Sequence, residues 1–201
     1  MAFTFFFRDS HTLQRATDFL LPLTDGQQSV RIWNPGCAMG PETYTFTIIL
    51  AERMSPQAFK KVRIDATDID ESGGFGNIIT EAVYPAGDLS RLPEGILDKY
   101  FEKYSEDGKY RVIGTIREKV HFQQHDLLTL QPTGTGYCFI ICKNVLLHFS
   151  QEQRIEVVKM FHQVLSPNGL FTTEQTQNLP DECSHLFRSL ATDAHVYQKI
   201  S

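Results

Sequence analysis

Three short apolar runs, rich in β-branched residues, punctuate the chain: Val30-Arg31-Ile32-Trp33, Val62-Arg63-Ile64-Asp65-Ala66 and Tyr137-Cys138-Phe139-Ile140-Ile141-Cys142. Runs of this length and makeup predict strands buried in a sheet. Between them the period changes. The first run passes through Asn34-Pro35-Gly36-Cys37-Ala38-Met39-Gly40 into a helix predicted from about Pro41 to Met54, with Phe46, Ile49, Leu50 and Arg53 at helical spacing. Pro41 suits the first helical turn because its fixed φ fits the helix and the donor it lacks would have no partner there. The third run leads through Lys143-Asn144-Val145-Leu146-Leu147-His148-Phe149 to Ser150, a predicted cap for a helix carrying Ile155, Val158, Met160, Phe161, Val164 and Leu165 on its apolar side. Pro167-Asn168-Gly169 is expected to end that helix, with a strand over Leu170 to Thr173 and a closing hairpin over Leu186–Ala191 and His195–Ile200. Strands alternating with helices and ending in a hairpin predict an α/β fold, with a largely parallel sheet, helices on both faces and an antiparallel edge.

The stretch from Gly73 to His125 breaks this rhythm, because Asp107-Gly108-Lys109 lies between aromatic, turn-flanked pieces. A small β insertion over roughly residues 100–118 accounts for it. With 201 residues and no Pro-, Ser- or Gly-rich linker, the expectation is a single domain over 1–201. No apolar run reaches the roughly 20 residues of a membrane helix, and Met1 to Phe7 carries neither a basic leader nor a small-residue cleavage site. A cytoplasmic, monomeric protein without membrane insertion is expected. The net charge of −5 gives no basic footprint for nucleic acid, which leaves a protein or a small molecule as partner. The four cysteines include no CxxC pair, so no metal site is expected.

Candidate chemistry begins at the glycine loop. In an open α/β sheet the ligand lies beyond the carboxyl ends of the strands, and a glycine turn after the first strand allows close backbone approach. Gly36 and Gly40 are placed for this, although a Gly-x-x-x-Gly turn is also an ordinary strand-to-helix connection. Asp68, in Ala66-Thr67-Asp68-Ile69-Asp70, falls one helix and one strand later, where an acid can accept hydrogen bonds from a ribose. Asp68 and Asp70 have a second reading, as a solvated turn or a helix cap. The ribose geometry serves a dinucleotide and S-adenosylmethionine alike, but Glu42 would repel a pyrophosphate and suits a cationic methionyl group. Asp126 follows the strand-like Val120-His121-Phe122, where an acid beside an apolar residue can meet an adenine, and it reads equally as a plain loop acid.

Taken together these segments resemble the CheR family of chemotaxis receptor glutamate O-methyltransferases. Thr4-Phe5-Phe6-Phe7-Arg8-Asp9 is similar to its opening T-x-F-F-R and acid; the run from Arg31 to Thr45 to R-I-W-S-A-G-C-S-T-G-E-E-P-Y-S; Ala66 to Asp70 to A-T-D-I-D; and Cys142 to Ser150 to C-R-N-V-L-I-Y-F-D. The resemblance implies a Rossmann-like S-adenosylmethionine-dependent methyltransferase fold with a mostly parallel seven-stranded sheet, and S-adenosylhomocysteine as product. It implies that Thr4 and Arg8 lie at the cofactor, Arg8 reaching its methionyl end or the acceptor. It further implies that Gly36 and Glu42 line the methionyl side, Asp68 holds the ribose, Asp126 and Leu127 flank the adenine, and Cys142, Lys143 and Asn144 close the pocket near the sulfonium. The implied partner is the cytoplasmic domain of a chemoreceptor or another protein acceptor.

The chain also departs from the family pattern, with several changes near the acceptor. His148 stands at the family's active-site tyrosine, Lys143 at the arginine of C-R-N, Asp126 at the asparagine of N-L-L, and Glu174-Gln175-Thr176-Gln177 at its G-x-S-E. Gly73-Gly74-Phe75-Gly76 interrupts the A-x-x-G-x-Y run after the second strand. The chain starts at the T-x-F-F-R segment, ahead of which the family carries a small helical domain. Arg8 and His148 are the catalytic candidates, the imidazole as hydrogen-bonding group or as base toward a less acidic acceptor. The alternatives are a catalytically silent module that binds S-adenosylmethionine or S-adenosylhomocysteine, and a methyltransferase with a different acceptor.

Overall fold

The computed structural model describes residues 4–176 and 178–200; Gln177, named above in the departures, lies outside them. In chain order, helix α1 (Ser10–Thr24) leads to strand β1 (Val30–Pro35), helix α2 (Pro41–Arg53), the single turn α3 (Pro56–Phe59) and strand β2 (Val62–Asp68). Helix α4 (Phe75–Glu81) and strand β3 (Val83–Pro85) follow, then α5 (Ile96–Tyr100), β4 (Phe101–Ser105), β5 (Lys109–Val112), α6 (Gly114–Arg117) and β6 (Val120–Gln124). The last part is β7 (Tyr137–Ile141), α7 (Gln151–Val164), β8 (Leu165–Thr172), β9 (Phe187–Ser189) and β10 (Val196–Lys199).

Seven strands form one sheet in the order β6-β2-β1-β7-β8-β10-β9. The pairs from β6 to β8 are parallel, and β10 lies antiparallel between β8 and β9. The inner strands are largely apolar because both faces are covered, with Arg31 on β1 and Arg63 and Asp65 on β2 as charged exceptions. Ile32 and Trp33 are adjacent on β1, yet Ile32 packs with Leu13, Leu20, Phe46 and Leu50 of α1 and α2, whereas Trp33 packs with Val157, Val158 and Phe161 of α7. On β7 the same alternation sends Phe139 and Ile141 one way and Ile140 the other. A capping box starts α7, with Ser150 Oγ accepting from Gln153 N–H and the Gln153 side chain accepting from Ser150 N–H.

Four features differ from the sequence expectation. Helix α1 was not anticipated. The Pro167-Asn168-Gly169 triplet does not end α7, which stops at Val164; it lies within β8, where the register against β7 shifts. The β insertion is a three-stranded sheet, β3-β5-β4, whose first strand, Val83–Pro85, precedes the expected boundary. Gly73 to Gly76 opens a helix: the Asp70 carboxylate accepts from the N–H groups of Gly74, Phe75 and Gly76 at 3.0 Å, closing the open end of α4.

The small sheet shares its apolar cluster with the main one, and Phe6 joins them. Its buried ring meets Tyr84 and Phe101 edge-on, with centroids 4.9 and 5.4 Å apart, while Phe7 N–H donates to Thr45 Oγ1 at 2.9 Å. The segment Thr4–Asp9 is thereby hooked across the carboxyl end of the sheet.

Candidate functional site

β1 is the strand where the connection order reverses: the chain builds outward through β2 to β6, then returns to place β7 on the other side of β1. A crevice opens beyond the carboxyl ends at such a point. The loops leaving β1 and β7 form its walls. Gly36 holds φ +74°, and a Cβ there would overlap Val145 Cγ2, so only glycine lets the two loops approach this closely.

Two adjoining cavities occupy the crevice and share Gly36, Ala38, Asn144 and His148. The first, about 330 Å³, is lined further by Thr4 and by the charged side chains of Arg8, Glu42 and Lys143. The second, about 340 Å³, is lined by Asp68, Asp126, Leu127, Phe75, Val145 and Phe149. Ten of the eleven site residues read from the sequence thus line one cleft. Cys142 is the exception: it is fully buried in the cluster beneath α7, behind the loop it opens, because β7 alternation turns its side chain away from the cleft. Burial, reinforced by the nearby negative charges of Glu174 and Glu42, pushes its thiol well above the ordinary range.

Asp68 ends β2 with each carboxylate oxygen engaged by backbone. Oδ2 accepts from Ala38 N–H at 2.9 Å and Oδ1 from Asp70 N–H at 3.0 Å. An ionised carboxylate has about four acceptor positions, so capacity remains for a pair of hydroxyls. Asp70 is a helix cap. Asp126 Oδ1 accepts from Leu128 N–H at 2.8 Å, which fixes the turn that carries Leu127.

Glu42, in the first turn of α2, is oriented from behind by Asn34. The Asn34 amide donates to Glu42 Oε1 at 3.3 Å and to the Ile141 carbonyl at 2.9 Å, while its own oxygen accepts from Thr43 Oγ1 at 2.6 Å. On the other side Lys143 Nζ lies 3.4 Å from Glu42 Oε2 and 3.6 Å from Asp9 Oδ2. Burial raises the Glu42 carboxyl above its usual value, and the Lys143 charge opposes that rise. Arg8 lies 3.8 Å from Asp9 and its guanidinium sits over the Phe5 ring, keeping it at the cleft edge. His148 ends the turn Leu146–His148 and is exposed at the junction of the two cavities.

Two residues that hold the cleft walls in place were not read from the sequence as site residues. Asn34 is fully buried at the end of an apolar strand, and Glu174 is buried after β8, accepting from Asn144 N–H and Thr173 Oγ1 at 2.8 Å. Glu174 stabilises the loop in which Asn144 adopts φ +58°. The available signal was a polar residue closing an apolar strand, which needs buried partners.

The donor set fits a nucleoside carrying a charged amino-acid end. One lobe offers apolar packing beside the carboxylates of Asp68 and Asp126, and the other a half-buried carboxylate, Glu42, for an ammonium. Residues 2–196 match the family described as CheR methyltransferase, SAM binding domain. The chain is 30% identical over 174 residues to the chemotaxis protein methyltransferase of Borreliella burgdorferi, covering 83% of this chain and 60% of that protein. It is 29% identical over 190 residues to chemotaxis protein methyltransferase 2 of Pseudomonas aeruginosa, covering 93% of this chain and 66% of that one. The chain therefore spans less than two thirds of these relatives. Among solved structures, a TehB-like SAM-dependent methyltransferase from Corynebacterium glutamicum aligns with a TM-score of 0.50 at 10% identity, over 94% of this chain and 85% of that one. The PKMT2 protein of Rickettsia typhi, solved in complex with AdoHcy, aligns with a TM-score of 0.50 at 17% identity, over 86% and 26%. The likeness is one of fold. No helix among the described residues is long and apolar enough to cross a membrane.

Proposed function

The chain belongs to the CheR methyltransferase family, as its S-adenosylmethionine-binding domain, and on that premise we propose that it transfers a methyl group to glutamate carboxylates in the cytoplasmic part of a chemoreceptor. The single observation that carries this reading is the two-lobed cleft at the reversal point of the sheet, charged at Glu42 and Arg8 in one lobe and apolar at Leu127, beside Asp68, in the other.

In this reading Asp68 holds the ribose, Asp126 and Leu127 flank the adenine, and Glu42 takes the methionyl ammonium. Gly36, Thr4, Lys143 and Asn144 complete the wall. The bound cofactor supplies an electrophilic methyl group. What remains for the chain is placement. A glutamate acceptor is already ionised near neutral pH, so no strong base is needed, and rate comes from in-line positioning in a site closed to water. Arg8, at the cleft edge, orients the acceptor carboxylate. His148, at the junction of the lobes, donates a hydrogen bond to it where the family tyrosine would. The protein acts as a cytoplasmic monomer.

A second reading, a module that binds cofactor without transferring methyl, is favoured by the occupation of Lys143 by Glu42 and Asp9, which leaves Arg8 and His148 as the acceptor-facing groups. Incubation with methyl-labelled S-adenosylmethionine and receptor cytoplasmic fragments, alongside calorimetry, separates the two. Label on receptor glutamates supports transfer. Binding with no label on any fragment overturns it in favour of the silent module, and no binding overturns both.

A further inference from the structure

Lys143 is the most deeply buried charge of the cleft. Its side chain is 1% exposed, it comes from the loop after β7, and it faces two carboxylates from different parts of the chain: Asp9, on the hooked N-terminal segment, and Glu42, on α2. Its ammonium lies 3.4 Å from Glu42 and 3.6 Å from Asp9, and it opposes the rise of the Glu42 carboxyl first through its charge. An isolated buried carboxylate takes up a proton in preference to remaining ionised. Among the described residues, the other groups that act on Glu42 are neutral or of the wrong sign, and Arg8 stays at the cleft edge. Asn34 on β1 is a neutral amide, Cys37 and Cys142 are buried thiols, and Asp9 is a second acid that pushes Glu42 toward its protonated form. His148 lines the same cleft from its exposed end.

We infer that Lys143 is a positioning residue for cofactor binding: wedged between Asp9 and Glu42, it keeps Glu42 an anion so that the methionyl ammonium meets a charge. This rests on the reading of Glu42 given above. The ordinary function of a cation at a methyl-transfer site would be to meet the acceptor. Here the ammonium is turned to the chain's own acids, and its effect on binding passes through Glu42.

The test is calorimetric titration with S-adenosylhomocysteine across about pH 6 to pH 8.5, where an ordinary carboxylate does not titrate. The wild-type chain, K143M, K143R, E42Q and the E42Q/K143M double variant are compared, with K143Q replacing K143M if the latter does not fold. Wild-type affinity is expected to depend less on pH over this window than that of K143M. In K143M the affinity is expected to fall more steeply as the pH is lowered, by up to about tenfold per pH unit once Glu42 begins to take up its proton. K143R should restore the wild-type profile, and K143M should add nothing in the E42Q background. A K143M affinity that is unchanged, or weakened equally at every pH, overturns the inference, since a merely structural lysine would not alter the profile. E42Q binding at wild-type strength overturns instead the assignment of Glu42 beneath it, and a wild-type chain that does not bind overturns the cofactor reading of the cleft.

Discussion

The Asp68 carboxylate and the Ala38 backbone amide are joined across two parallel strands, Oδ2 accepting from N–H at 2.9 Å. Ala38 sits in the loop after β1 with φ +47°, a conformation that costs a non-glycine residue free energy. The acid at the end of β2 therefore does two things: it holds the glycine loop in its strained form and offers its remaining lone pairs to the cleft.

Replacing Asp68 with Ala should remove both. Affinity for S-adenosylhomocysteine is expected to weaken by about 1 to 3 kcal/mol, the range for charge-assisted hydrogen bonds. Calorimetry on the folded variant measures it. Unchanged affinity would mean that Asp68 serves the loop alone.

Gly36 and Gly26 form a matched pair for a second prediction. Both have φ near +70°, but a Cβ on Gly26 meets open space, whereas one on Gly36 overlaps Val145. Gly26→Ala should cost only the left-handed strain, roughly 1 to 2 kcal/mol. Gly36→Ala adds overpacking, typically about 1 to 3 kcal/mol more. Denaturant midpoints for the two variants should separate accordingly, and only Gly36→Ala should also weaken ligand binding.

Asp70 yields a pH dependence. The N–H of Phe75, with those of Gly76 and Gly74 and the Ser72 hydroxyl, holds its carboxyl below the ordinary value. A group with a depressed folded-state pKa contributes stability above its unfolded value, and that contribution disappears as the pH falls through the folded one. Asp70→Asn should therefore lower the thermal midpoint at neutral pH, and the gap from wild type should narrow below about pH 4. A gap constant with pH would sink the assignment of the cap as charge-assisted.

His148 separates binding from transfer. His148→Ala is expected to lower kcat by about 10²-fold, at the low end of proton-transfer and hydrogen-bond effects. S-adenosylhomocysteine affinity should change little, because His148 lies at the exposed junction of the lobes. His148→Tyr, which installs the family residue, should recover turnover on a glutamate acceptor. Equal loss of binding and turnover in His148→Ala would assign the imidazole to the cofactor.

The strands nearest the cleft were legible because burial on both faces writes a short, mostly apolar run, as in Val30–Trp33, broken only by Arg31, and Tyr137–Ile141. Most cleft residues were legible because they follow those runs directly. Helix α1 was not, although Leu13, Ala16, Thr17 and Leu20 line its buried side. Its three threonines and Pro22 are poor helix formers, and Asp9 at its start makes no side-chain cap, so packing against α2 and β8 outweighs propensity. Helix α4 was hidden because its cap, Asp70, stands several residues upstream of its first turn. Strand β3 is three residues long and carries no period to read. Cys142 was misplaced because motif spacing gives the loop but not which way a side chain turns at the end of a strand.

Phe6 also sets an order of assembly. Its partners Tyr84 and Phe101 lie some 78 and 95 positions later in the chain, so the hook cannot seat until the small sheet has formed. Contacts of such sequence separation pay their loop-closure entropy before they return any stability, and they form late in folding. Thr4 and Arg8, translated before every strand of the sheet, are thus the last wall of the cleft to be set, and ligand competence should trail the appearance of native secondary structure during refolding.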